Sequence, residues 1–171
     1  NGKGSRTNTA TYTKAKPHPG VLIVNGHRGL QVAYYEGAWQ MLPNFDQLKP
    51  LRMGIAQDIA LDVLPTAEDG WAYRFTGFLK VDTAGLYELY TNSDDGTKLF
   101  LHDELVVDND GSHGAITKSG RILLEPGLHP FELQYFEDHG GVYLEAGFIH
   151  GDNERTPFQP HQFLHSSSGG R

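Results

Sequence analysis

The chain has 171 residues, of which 38% are apolar and 11% aromatic, enough for one domain with an ordinary core. Its formal net charge of −7 argues against nucleic acid or an anionic lipid surface as partner, because both demand a basic face. Cysteine is absent, which excludes disulfides and thiolate metal sites, and there is no apolar run of the roughly 18 residues that a membrane-spanning helix needs.

Residues 1–16 are polar and weakly periodic, and Lys16-Pro17-His18-Pro19-Gly20 breaks the chain. Val21-Leu22-Ile23-Val24 reads as a short strand closed by Asn25-Gly26. Residues 1–28 are therefore expected to be a linker, or the tail of a preceding domain, plus that strand. A chain opening on Asn1 reads as a piece of a longer protein. Residues 30–36 alternate imperfectly and carry Tyr34-Tyr35. Residues 45–49 are the one helix-like stretch, stopped by Pro50. Residues 55–61 are a less regular strand candidate. Residues 72–81 put Tyr73, Phe75, Gly77, Leu79 and Val81 on one face at period two. Residues 86–90 follow the turn Thr83-Ala84-Gly85. Residues 98–101 and 105–108 flank His102-Asp103-Glu104 as a hairpin. Residues 128–136 and 142–149 pair around Asp138-His139-Gly140-Gly141. Ser166 to Gly170 is flexible by composition.

Strands recurring at this spacing predict an all-β fold: an antiparallel, jelly-roll-like β-sandwich of about ten strands with long site loops at one end. The domain is expected over residues 29–165, with 166–171 as a flexible tail.

The segment Asn92-Ser93-Asp94-Asp95-Gly96-Thr97 is read as a loop between two strands. Successive carboxylates repel each other, and in a strand they point to opposite faces. Convergence on one point needs an unusual backbone. A cis peptide between them supplies it, and a hard divalent cation drawing both carboxylates to one centre offsets the repulsion. Calcium takes about 6–8 oxygen ligands, so a second loop must contribute, and Glu137 to Gly141 is the candidate. Coordination positions left open suit adjacent sugar hydroxyls. The same letters also spell a plain turn, since Asp and Gly favour turns by local hydrogen bonding and positive φ. No stretch has the spacing of an EF-hand calcium loop.

Several ordered motifs resemble those of the protective-antigen-type (PA-fourteen) domain. They begin with Gly29-Leu30, Tyr34-Tyr35-Glu36-Gly37, Trp39 and Leu42-Pro43-Asn44-Phe45. Tyr73-Arg74-Phe75-Thr76-Gly77-Phe78 and Ala84-Gly85-Leu86-Tyr87 come next, then Ser93-Asp94-Asp95-Gly96 and Val107-Asp108-Asn109-Asp110-Gly111-Ser112-His113-Gly114. Glu125 to Pro130 and Tyr135-Phe136-Glu137 close the series. The resemblance implies a β-sandwich carbohydrate-binding domain of the kind appended to bacterial glycosidases such as fucosidases and hexosaminidases, and also found in adhesins. It implies that the two successive aspartates are joined by a cis peptide and bind Ca2+, a motif that Asp94 and Asp95 match intact. The second calcium loop varies across the family, and some members have lost the site and act only as support for enzymes or toxins.

The expected metal ligands are Asp94, Asp95, Asp138 and Gly140. The expected sugar contacts are Asp94, Asp95, His139, Gly141, Asp110 and His113. His113 and His139 lie in site loops, where a histidine touches a ligand or bonds its own loop backbone. His102, His113, His129, His139 and His150 are scattered, with no zinc spacing among them. Trp39 is read as core and Trp71 as partly exposed. Glu137 with Asp94 or Asp95 is weighed as a glycosidase carboxylate pair and set aside, because calcium would take the aspartates out of proton transfer. No catalytic residue is assigned. The expectation is a secreted, non-catalytic, calcium-dependent carbohydrate-binding module, located outside the cell, on its surface or in the periplasm. It is expected to be monomeric as an isolated domain, and neither to bind nucleic acid nor to insert in a membrane. The alternative is a structural accessory domain packed on a glycoside hydrolase.

Overall fold

A computed structural model describes residues 16–151 and 154–166. The expected polar leader at 1–15 and most of the expected tail, 167–171, lie outside the described residues.

Among the described residues, twelve strands form two antiparallel sheets. In the larger, β1 (Gly26–Arg28) pairs with β12 (Phe163–Ser166), which pairs with β4 (Trp71–Val81). Beyond β4 come β9 (Gly127–Glu137), β6 (Thr97–Leu101) and β7 (Glu104–Asn109). The first half of β4 also carries β2 (Leu30–Glu36), on which β3 (Arg52–Ala56) is hung. The smaller sheet runs β11 (Thr156–Pro157), β10 (Tyr143–His150), β5 (Gly85–Asp94), β8 (Ile116–Leu124).

The core follows from period-two alternation. Along β4, Trp71, Tyr73, Phe75, Leu79 and Val81 are buried, and along β9 so are His129, Phe131, Leu133, Tyr135 and Glu137. The β9 row is apolar in the middle and ends in a titratable residue on each side, because each end faces a loop cluster instead of the opposite sheet. Trp71 is 1% exposed, so it is a core residue and not the partly exposed one expected. Burying an aromatic side chain of this size contributes about 1.5–3 kcal/mol. A second cluster, Tyr35, Phe45, Ala72 and Phe136, sits on the outer face of the larger sheet with Trp39 and Leu42 partly buried against it. It glues the segment between β2 and β3 across that face.

Four further expectations are corrected, for Val21 to Val24, residues 55–61, Asn92 to Asp94 and Glu137. Val21 to Val24 is not a strand: Val21 makes one isolated bridge to Leu128, and Leu22 and Val24 are exposed. The chain finds ladder partners only from Gly26, on β12, whose strand character the sequence did not advertise. The candidate at 55–61 moves to β3, where Leu30↔Ala56 through Tyr34↔Arg52 set the register. The helix-like stretch keeps the one-turn length expected of it, as a 3-10 turn over Phe45–Gln47 capped by the Asn44 side chain. Asn92, Ser93 and Asp94 belong to β5, not to a loop, and Glu137 belongs to β9. β8 was unforeseen, because its burial alternates only at its end, through Ile122 and Leu124. The β6–β7 hairpin is tight, with His102 and Asp103 at φ 52° and 63°, the left-handed pair that a type I′ turn requires.

Candidate functional site

Strands β5, β6, β9 and β10 bring one end of the sandwich together, and the paired aspartates lie there. Asp94 is the last residue of β5, and only Asp95 and Gly96 separate it from β6. The Asp94–Asp95 peptide is cis, as the resemblance implies. Gly96 is demanded by packing: a Cβ there would stand 2.5 Å from Phe136 Cε1 and 2.8 Å from the Gly111 nitrogen.

Asp95 is 2% exposed and firmly held. Its Oδ1 accepts from the His113 backbone N–H at 2.7 Å, and its Oδ2 from the Asp138 N–H at 2.8 Å. The Ser112 hydroxyl lies 3.3 Å from Asp95 Oδ1 and 3.0 Å from Asp138 Oδ2, linking the two carboxylates through its one proton. Asp94 differs. Among the described residues no donor reaches its carboxylate; only its backbone oxygen is held, by the Tyr135 hydroxyl at 2.6 Å. A Cβ built on Gly141 would stand 2.6 Å from Asp94 Oδ2, so only glycine lets that loop lie so close to the carboxylate. Gly140, at φ 105°, turns the loop.

The site is acidic and uncompensated. Among the described residues no lysine or arginine pairs with Asp94, Asp95 or Asp138; only His139 Nδ1 approaches, 3.1 Å from Asp138 Oδ2. Glu137 is fully buried beneath the site, and burial pushes its carboxyl up to about 7, with the Asp95, Asp94 and Asp69 charges acting the same way against the Tyr135 hydrogen bond. Burial, then Glu137, hold the Tyr135 phenol well above the ordinary tyrosine range. Tyr135 has one proton and two oxygen neighbours, Asp94 O and Glu137 Oε2 at 2.9 Å. A neutral Glu137 resolves this by donating to the phenol, which then donates to Asp94 O.

The expected residues are thus partly gathered. Asp95 and Asp138 are linked through the Asp138 N–H and Ser112, and Gly141 lies against the Asp94 carboxylate, while Gly140 only turns the loop. His139 sits at the rim, its side chain 74% exposed. Asp110 is committed elsewhere: its carboxylate pairs with Lys98 at 2.6 Å and accepts from the Leu42 N–H at 2.7 Å. His113 turns its ring to the chain, with Nδ1 2.9 Å from Gly114 O and Nε2 3.0 Å from Asn109 O. Both act as anchors that fix the loop between β7 and β8, and the Ser112 N–H donating to Gln40 O ties it to the segment after β2. Sequence reasoning missed Ser112 and Tyr135. Tyr135 was within reach, two residues before Glu137 on the inward row of β9; nothing local marked Ser112.

No three His, Asp or Glu side chains among the described residues converge on a set able by itself to hold a metal ion. The donor chemistry is nonetheless that of a hard cation: carboxylate oxygens only, one carboxylate without a donor, and glycines bringing backbone against it. Calcium there would lean on backbone carbonyls, water or a ligand for the rest of its shell.

A two-sheet antiparallel sandwich with paired aspartates and glycine loops at one end defines a loop-site β-sandwich module. The PA14 domain model matches residues 26–151, and the chain belongs to the PA14 domain family. No curated protein sequence matches it. Among solved structures, an anti-sigma factor domain-containing protein from Clostridium clariflavum superposes with a TM-score of 0.67 at 19% identity, over 85% of this chain and 49% of that one. This chain thus spans about half the length of that protein. A PA14 sugar-binding domain from an RTX adhesin gives 0.68 at 19% identity, over 81% and 99%. The epithelial adhesin 9 A domain from Candida glabrata, solved in complex with Galβ1-3GlcNAc, gives 0.69 at 13% identity, over 91% and 98%. At these identities the likeness is one of fold.

Proposed function

We propose that this chain is a non-catalytic carbohydrate-binding module in which a calcium ion held at Asp94 and Asp95 presents open coordination positions to vicinal sugar hydroxyls. The observation that carries this reading is the contrast within the pair. Asp95 is fixed by backbone donors from two loops, while among the described residues no donor, lysine or arginine reaches the adjacent Asp94 carboxylate. An unpaired carboxylate in an acidic cluster is costly unless a cation is drawn in. Asp138 and the backbone of residues 138–141 complete the protein's share of the shell, and His139 and Gly141 face the ligand. Two adhesin domains with this fold, one a sugar-binding domain and one solved with Galβ1-3GlcNAc, support carbohydrate as the partner class. The site's role is to bring a larger extracellular protein, an adhesin or a glycosidase, to glycans.

A hydrolytic role for these carboxylates is disfavoured by burial. Glu137, the residue with the raised pKa that an acid catalyst needs, is fully buried under the loops and touches Tyr135, out of reach of any substrate. Isothermal titration with galactose, lactose, mannose and fucose, with calcium and then with excess chelator, tests the reading. Binding that needs calcium is the expected result. Silence of a broad glycan array in the presence of calcium would refute it.

A further inference from the structure

We propose that His18, His102 and His129 form an acid-released latch holding the segment 16–24 against the end of the sandwich opposite the paired aspartates. β9 separates the two ends: its residues 129 and 137 are eight positions apart, about 27 Å at the usual strand rise.

The segment is held by few bonds. His18 N–H donates to Leu123 O at 2.8 Å, Glu125 N–H returns to His18 O at 2.9 Å, and Val21 N–H donates to Leu128 O at 2.7 Å. Leu22 and Val24 are exposed, and Val21 and Ile23 are half-buried. The polar side-chain contacts left are the histidine stack and the His18–Glu104 pair. The His18 ring lies 4.9 Å from that of His102 at 25°, and His102 Nε2 lies 2.8 Å from His129 Nδ1.

With both rings neutral, that last contact has one consistent arrangement of protons. His129 Nε2 is 2.9 Å from Glu125 O, an acceptor, so it carries the ring proton. Nδ1 of His129 is then a bare lone pair, and His102 Nε2–H donates to it. His129 is fully buried, and a second proton on it is accommodated only if His102 gives up its Nε2 proton, so the pair carries one charge but not two, and that charge lies beside the His18 ring stacked on His102. Burial lowers the pKa of both His102 and His129, helped by mutual repulsion with His129 and His18 at His102 and with His18 at His129. The groups facing the cluster are Glu104, 3.3 Å from His18 Nε2, Asp103 in the hairpin turn, and Glu125 beside His129. Only Glu104 touches a ring, so the carboxylates moderate the repulsion without removing it. A histidine whose pKa is lowered in the latched state takes up protons preferentially when released. The latch is therefore intact above the ordinary histidine pKa, and is lost as the pH falls through that value towards the lowered one.

Amide hydrogen exchange on the intact chain at pH 7.5 and pH 5.0, corrected for intrinsic rates, tests this. The expected result is at least a tenfold loss of protection at His18, Val21 and Glu125 in acid, with Leu133 in the core unchanged. Imidazole 15N shifts should show His129 titrating in step with that loss. In His129→Gln the amide donates to Glu125 O and its oxygen accepts from His102, without a titrating group; protection should then persist at pH 5.0. Unchanged protection of the three amides in the parent chain, their loss together with Leu133, or equal acid release in His129→Gln would overturn the latch.

Discussion

Asp94 and Asp95 are neighbours with opposite duties, and substitution should separate them. In Asp95→Asn the new amide faces a backbone N–H whichever way it turns, since His113 N and Asp138 N occupy the two oxygens. Leaving a buried donor unpaired costs about 1–3 kcal/mol, so denaturation in chelator should show a loss of that size. Asp94→Asn breaks no bond among the described residues, and its stability in chelator should stay within about 0.5 kcal/mol of the parent chain, as for a surface change. On the proposed reading both lose calcium-dependent sugar binding in titration. Tyr135→Phe should cost about 1–3 kcal/mol without touching the ligand, because Asp94 O loses its donor and the buried Glu137 carboxyl loses its acceptor. The aspartate pair was legible in the sequence because adjacency is a local property. The contacts of Ser112 and Tyr135 with it were not, because they are made across 17 and 41 residues, although alternation along β9 placed Tyr135 on the inward row.

The same division holds for the elements. β4 and the β6–β7 hairpin were legible, the first from alternation and the second from a turn between two apolar runs. β8, β11 and β12 were not, since their pairing is decided by what lies beside them. β5 ran four residues past its expected end, because Asn92, Ser93 and Asp94 are polar and read as loop, yet pair with β8 or β10 across the sheet. That extension delivers Asp94 to the rim. Loop 138–141 meets it there, and Gly141→Ala tests the closeness. A methyl placed 2.6 Å from Asp94 Oδ2 must displace the loop or the carboxylate. On the proposed reading calcium affinity should fall at least tenfold, about 1.4 kcal/mol, while the melting temperature in chelator moves little.

At the scale of the molecule, one sandwich carries polar chemistry at both ends and apolar packing between them. If calcium binds only the folded state, a concentration of 100 times its dissociation constant should add about 2.7 kcal/mol of stability. For a chain of this size that is a rise of about 5–11 °C in melting temperature, read by calorimetry with and without chelator. No shift at saturating calcium would argue against a bound ion. By itself the sequence determined the all-β class, the family motifs and the aspartate pair, because alternation and adjacency act over a few residues and survive any global arrangement. Tertiary structure alone decided that Asp110 and His113 brace loops, that Trp71 is core, that Glu137 lies beneath the site, and that three scattered histidines touch. Those facts depend on which distant segments the closing sheets bring within hydrogen-bond reach, and no local pattern encodes that.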